Sequence, residues 1–154
     1  MILDIIDYAD YVSTDKTKQH SFIQRVGTAL TSTGFFALKN HPIPIPLIEA
    51  AYEQTTQLFR LTTTEKTAYE VPSLKGQRGF TSFGKEHAKG SNIPDLKEFW
   101  HVGREHNDPS QEHHLQANLW PQECPDLKPI MIELFQKLDY CSVMLLEACA
   151  LYLG

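Results

Sequence analysis

Cysteine is scarce in this chain of 154 residues, with three in all, at Cys124, Cys141 and Cys149. An odd number without C-x-x-C spacing excludes a disulfide framework and a zinc knuckle, and points to reduced thiols in a cytoplasmic protein. Basic residues are also in short supply, 14 Lys and Arg against 19 Asp and Glu, for a net charge of −5. An acidic surface argues against nucleic acid as a partner, because a phosphate backbone needs clustered cations. The modest basic run from Lys75 to Lys89 is broken by Glu86 and reads as a solvated loop. No apolar run approaches the ~18 residues that a membrane span requires, so no membrane is expected as a partner. The N-terminal MILDIIDYADY carries acids where a secretory signal carries bases. Gly76, Gly79 and Gly84 form neither a G-x-G-x-x-G nor a P-loop pattern. No Ser-His-Asp or Cys-His pairing can be argued either, and no repeat recurs at 20–50 residues.

What is present is ordinary globular material, 42% hydrophobic and 10% aromatic. The run ILDII at residues 2–6 suits an opening strand. Ser13, Thr14 and Asp15 offer helix caps. Phe22, Ile23, Val26, Ala29 and Leu30 then share one helical face. Gly34 suits the left-handed position after that helix, and Phe35 to Leu38 reads as a buried strand. Prolines 42, 44 and 46 hold the next connection extended. Pro46 can open a helix with a face of Leu47, Ile48, Ala51, Tyr52, Leu58 and Phe59. Thr62-Thr63-Thr64-Glu65 matches a capping box. Arg78-Gly79-Phe80 can start a strand, and Asp95 to Gly103 is better strand material. Residues 104–118 read as a polar surface loop.

The longest element follows Asp126. Leu127, Met131, Leu134, Leu138, Cys141, Leu145, Ala148 and Tyr152 recur at steps of four and three. They predict a helix of roughly 27 residues, ~40 Å long, with Pro129 harmless in its first turn. Such a stripe needs a partner surface. The upstream strands are few and short, so a larger sheet is expected beyond this sequence.

Three segments, in this order, resemble one family. Thr33-Gly34-Phe35-Phe36-Ala37-Leu38-Lys39-Asn40-His41 is similar to its GFF…NH strand and turn. Phe59-Arg60-Leu61 with Thr64-Glu65-Lys66 is similar to its helix junction. Arg78-Gly79-Phe80 with Asp95-Leu96-Lys97-Glu98-Phe99 is similar to its RGY…D-x-KE-x-F pair. Together they resemble the N-terminal region of the isopenicillin N synthase-like non-haem iron oxygenases, which include the 2-oxoglutarate-dependent dioxygenases. The resemblance implies an α+β fold, with helices packed on a few short strands. It divides the chain into an N-terminal region at 1–124 and, at 125–154, a long helix leading into an absent double-stranded β-helix, or jelly roll. In the complete family member it implies Fe(II), held by a His-x-Asp pair and a distant His with open positions for cosubstrate and O₂, and 2-oxoglutarate oxidised with a small-molecule substrate. None of these cofactors is expected on this chain alone, and the chain alone is expected to be inactive. The strand at Arg78-Gly79-Phe80 would pass near the mouth of the active site. Arg78 and Phe80 are therefore carried over as substrate-side residues, the first for a carboxylate and the second as a pocket wall. Phe80 stands where many members have Tyr.

One motif is tempting. His106-Asn107-Asp108 is a literal His-x-Asp, with His113 and His114 just downstream. In the resembled family the third ligand lies ~50 residues or more further on, on another jelly-roll strand. The surroundings are also too polar to orient metal ligands, so a surface loop is the expectation. His41 reads as a hydrogen-bonded turn residue, His101 can face either side of a strand, and His20 and His87 lie in polar contexts. Two other readings are carried forward. One is a non-enzymatic module that binds a partner through the apolar face of residues 127–152. The other is a small metal-binding protein using His106, Asp108 and His114.

Overall fold

The apolar N-terminal run forms strand β1 (Asp4–Asp7) in a computed structural model that describes residues 3–86, 90, 93–105 and 116–154. A single-turn helix, α1 (Tyr8–Tyr11), follows it, started by Asp7, whose side chain accepts from Ala9 N. The next helix, α2 (Lys16–Ser32), begins where the capping residues predict. Asp15 Oδ1 accepts from Thr17 N at 2.8 Å, and the cap bonds hold the Asp15 carboxyl below its usual pKa. Gly34 takes the left-handed conformation at φ 78°. Strand β2 (Phe36–Lys39) then runs parallel to β1, pairing Ile5 with Ala37 and Ile6 with Leu38. Parallel neighbours need a long crossover, and α1 with α2 supplies it.

The backbone divides into two compact units, Met1–Pro44 with Gln136–Gly154, and Ile45–Phe135. In the first unit Ile6, Tyr8, Tyr11, Phe22, Val26, Ala29 and Ala148 form the core. Three of the five residues expected on the inner face of α2 are buried in it, and Ile23 packs against it, but Leu30 is exposed. The strand predicted as buried from Phe35 to Leu38 is shifted and only half-buried. Phe35 lies outside it at 66% exposure, in a turn where Thr33 Oγ1 bonds both the N–H and the carbonyl of Phe35. Among the described residues this strand pairs with β1 alone. Asn40, at φ 54°, donates from Nδ2 to both carboxylate oxygens of Asp7 at 2.9 Å. The adjoining His41 departs from its expected role, since its buried Nδ1 has no hydrogen-bond partner among the described residues.

The second unit opens with α3 (Ile45–Arg60), followed by α4 (Thr63–Thr67). Pro46 sits in the first turn of α3. Leu58, Cys124 and Leu127 are the buried centre, with Phe59, Leu61, Trp100, Trp120 and Met131 packed around them. Strands β3 (Gly79–Thr81) and β4 (Phe99–His101) pair antiparallel, Phe80 opposite Trp100. The strand expected over 95–103 is thus three residues long, the part that pairs with β3, while Asp95 is bonded instead to the 84–86 segment, accepting from Gly84 N and donating to the Glu86 carbonyl.

The last helix, α5 (Leu127–Leu153), has the 27 residues its periodicity predicts and contributes to both units. Leu127, Cys141 and Ala148 are buried, whereas Leu138 is 48% exposed. A second apolar set, Tyr140, Val143, Leu146 and Leu151, is more than half exposed. No helix among the described residues is long and apolar enough to cross a membrane.

Two outcomes test the first unit. A Cβ on Gly27 would fall inside the Tyr152 ring, so Gly27→Ala should destabilise the chain by ~1–3 kcal/mol through overpacking. Removing the ring as well, in Gly27→Ala/Tyr152→Ala, should cost less than the sum of the two single changes in urea unfolding. Separately, the Tyr11 hydroxyl donates to Glu147 Oε2 at 2.8 Å. Burial, with that bond and the Glu147 charge, pushes its pKa up to about 12. The folded state holds this proton more tightly than the unfolded chain, whose tyrosines ionise near the ordinary 10.0. The stabilisation is therefore complete below pH ~10 and lost as pH rises towards 12. Melts across that range should show a decline that Tyr11→Phe reduces.

Candidate functional site

The second unit carries the residues singled out for function, and their positions follow from α4. Thr62 caps this helix by a complete reciprocal box: its Oγ1 accepts from Glu65 N, and Glu65 Oε2 accepts from Thr62 N at 2.7 Å. The Thr62 hydroxyl, which donates to Glu65 Oε2 at 2.7 Å, and then the Thr62 N–H keep the Glu65 carboxyl below its usual pKa. With the helix so fixed, Lys66 points inward and is only 7% exposed. An ammonium in such a place needs compensation. Lys66 Nζ donates to both carboxylate oxygens of Glu98, each at 2.8 Å, and lies 5.8 and 5.5 Å from the ring centres of Phe59 and Phe80. Cations at such distances from aromatic faces are attracted by the ring quadrupole. Two segments more than thirty residues apart in sequence are thereby tied together.

Phe80, beside this pair, is 2% exposed. Gly79, just before it, is fixed by its surroundings. It has φ 72°, and a Cβ there would meet the Tyr69 carbonyl at 2.6 Å and Leu119 Cδ1 at 2.7 Å. Left-handed backbone and close approach both require glycine. Arg78 is half-buried and bonded to main chain. Its Nε donates to the Gln116 carbonyl at 3.1 Å and its Nη1 to the Gln77 carbonyl at 2.6 Å. The guanidinium lies on Gly103, where a Cβ would collide with it.

Two adjoining clefts flank the turn that precedes Arg78. One, of about 380 Å³, is lined by Glu70, Val71, Pro72, Phe80, Thr81 and Lys85 together with Lys75, Gly76 and Glu86. The other, of about 390 Å³, shares those last three and adds Gln77, Arg78 and His101. The turn itself is left-handed at both residues, Lys75 at φ 50° and Gly76 at φ 72°. For a lysine that conformation costs about 1–2 kcal/mol. It is held from below by the ring of His101, whose Nδ1 is hydrogen-bonded to the Gly76 carbonyl. A Cβ on Gly76 would lie 3.0 Å from Thr81 Oγ1, a buried hydroxyl without a partner among the described residues.

Of the carried-over pair, Arg78 lines one cleft and Phe80 the other. Glu98 reads from the sequence as a structural residue, and its bond to Lys66 gives it that part. Sequence reasoning missed Lys66, which stands in the Thr64-Glu65-Lys66 motif, and Lys75. Lys75 lay inside the run read as a solvated loop. Lys97, next to Glu98, turns outward to Glu86 and Asp95 at 3.0 and 3.3 Å, and those bonds raise its pKa. Among the described residues no three His, Cys, Asp or Glu side chains converge as a metal site. The tempting His106, Asp108, His113 and His114 lie outside the described residues, as does His87.

Comparison with known proteins defines the class. Residues 3–123 match the family model described as non-haem dioxygenase in morphine synthesis N-terminal. The chain belongs to this family. It is 29% identical, over 97% of its length, to proline hydroxylase buaE of Petromyces alliaceus, and covers 47% of that protein. It is 32% identical to the 2-oxoglutarate-dependent dioxygenase thnC of Trichoderma harzianum, over 77% of this chain and 38% of the relative. A solved structure from Caulobacter crescentus, assigned to the 2OG-Fe(II) oxygenase family, superposes with a TM-score of 0.83 at 32% identity, covering 98% of this chain and 48% of that one. A full-length Neurospora crassa protein, solved in complex with alpha-KG, gives a TM-score of 0.81 at 25% identity, over 100% of this chain and 48% of its own. The chain spans about half the length of these relatives, and what it matches in the family is the N-terminal region.

The buried ion pair generates the test of this unit. Lys66→Met should cost ~3–5 kcal/mol, because it leaves the mostly buried Glu98 carboxylate without its cation. Lys66→Met/Glu98→Leu should recover most of that loss, since apolar residues of similar volume replace such a pair at little cost. Urea unfolding of the two variants beside the parent chain decides it.

Proposed function

We propose that this chain is the N-terminal region of an Fe(II)- and 2-oxoglutarate-dependent oxygenase that oxidises a small molecule. The observation that carries the reading is the coverage. Nearly the whole chain aligns with a little under half of a proline hydroxylase, and other relatives are named for their use of 2-oxoglutarate or Fe(II). The iron and its cosubstrate belong to a jelly-roll core in the other half. On this reading the chain's part in the reaction is structural and substrate-side. The cation of Arg78 and the ring of Phe80, fixed at the two clefts, contribute to the wall facing the substrate. The exposed apolar residues of α5, Tyr140, Val143, Leu146 and Leu151, give the core a surface to cover.

The coding sequence beyond Gly154 is the test. It should continue into a strand-rich segment with His-x-Asp and a distant His, and the resulting longer protein should consume 2-oxoglutarate in the presence of Fe(II) while residues 1–154 alone do not. Turnover by residues 1–154 alone, abolished by His106→Ala or Asp108→Ala, would overturn the proposal.

A further inference from the structure

The ionic partners around the paired clefts single out one residue. Four side chains lining them are cationic or can become so: Lys75, Arg78, Lys85 and His101. Arg78 is bonded to two main-chain carbonyls, and His101 to a third. Lys85 lies 4.0 Å from Glu70, whose carboxylate also takes the Ser82 hydroxyl at 3.0 Å. The remaining lining carboxylate, Glu86, is bridged by Lys97. Lys75 alone among these cations has no ion pair or hydrogen bond from its side chain among the described residues. It is exposed, and it lines both clefts. Its backbone is not free to move it away. The residue is pinned left-handed, with its N–H on the Pro72 carbonyl and the following carbonyl on His101. Next to it the first cleft offers apolar surface from Val71 and Pro72.

From this we infer that Lys75 is a specificity-determining residue that binds the carboxylate of a small substrate whose apolar body lies along Val71 and Pro72. Arg78 and His101 shape the turn, Arg78 adds positive field, and Lys75 makes the contact. A chain of net charge −5 repels anions at long range, so an uncompensated ammonium held at a cleft is where a carboxylate gains most. The inference deepens the substrate-side reading of these clefts and rests on it.

The test uses cyclohexanecarboxylate as probe and the uncharged cyclohexanecarboxamide as control, followed by amide NMR of the chain. The carboxylate should move the Lys75 and Gly76 signals saturably, and the carboxamide should not. Lys75→Asn is the informative variant, since asparagine tolerates the left-handed backbone while removing the charge. It should weaken binding at least tenfold, Lys75→Arg should retain it, and Lys85→Gln should change it less than twofold. Equal shifts with the carboxamide, or undiminished binding by Lys75→Asn, would overturn the assignment. Neither iron nor 2-oxoglutarate enters the measurement. A longer protein that turns over normally while this binding fails sinks the Lys75 role alone, and one that binds but never turns over sinks the oxygenase reading alone.

Discussion

The second unit depends on a single buried ammonium. Lys66 reaches the interior because the capping box leaves α4 no freedom to rotate it outward, and once there it must meet a charge. Glu98 meets it with both oxygens, and the ammonium lies 5.8 and 5.5 Å from the ring centres of Phe59 and Phe80. Apolar packing places β4 by shape, and the bidentate bond at 2.8 Å adds a directional constraint. It sets the position of Glu98, hence of the adjoining strand Phe99–His101, and through the pairing of Phe80 with Trp100 it sets β3. Short strands of three residues could not hold that register by their own ladder bonds. The ion pair adds a tie between them that their ladder bonds do not supply.

The elements with a local cause were legible in the sequence. The cap at Asp15, the reciprocal box at Thr62 and Glu65, the left-handed Gly34 and the 27-residue helix each follow from residues within a turn or two of one another. What was less legible depended on partners distant in sequence. Phe35 was assigned to a buried strand by its apolar neighbours, but its place is set by Thr33 and by the absence of a second neighbouring strand among the described residues. His41 had the look of a bonded turn residue, yet its Nδ1 finds no partner among the described residues. The site shows the same division. Arg78 and Phe80 could be picked out by resemblance, and both do line the clefts. That Arg78 would be tied to two carbonyls, and that Lys75 would stand unpaired beside it, depends on the path of the chain far beyond the turn, which no local rule predicts.

Strain and glycine are placed where the clefts need them. Gly79 is required twice over, by its positive φ and by the Tyr69 carbonyl that occupies the room a side chain would take. Gly76 closes over the Thr81 hydroxyl, and Lys75 shares its left-handed backbone at an energetic cost that glycine or asparagine would avoid. A turn that only needed to reverse the chain would be more stable with either. The lysine there adds what neither supplies, a charge on a long side chain, anchored at its base.

Helix α5 raises a comparable question on a larger scale. Its inward stripe is the one that the four-and-three spacing predicts, and Leu127, Cys141 and Ala148 are buried along it. Tyr140, Val143, Leu146 and Leu151 lie outside that stripe, with more than half their surface open to water. Scattered exposed leucines are normal, but four large apolar residues within about three turns of one helix describe a surface shaped for burial. Leu138 fits the same account. It belongs to the predicted stripe by spacing, yet is 48% exposed. A helix apolar around most of its circumference is the kind found inside a larger structure. Relatives about twice as long have the additional chain to build one. The physical demand of the helix and the coverage of the relatives therefore favour the same reading, in which α5 is the element against which the proposed catalytic core packs.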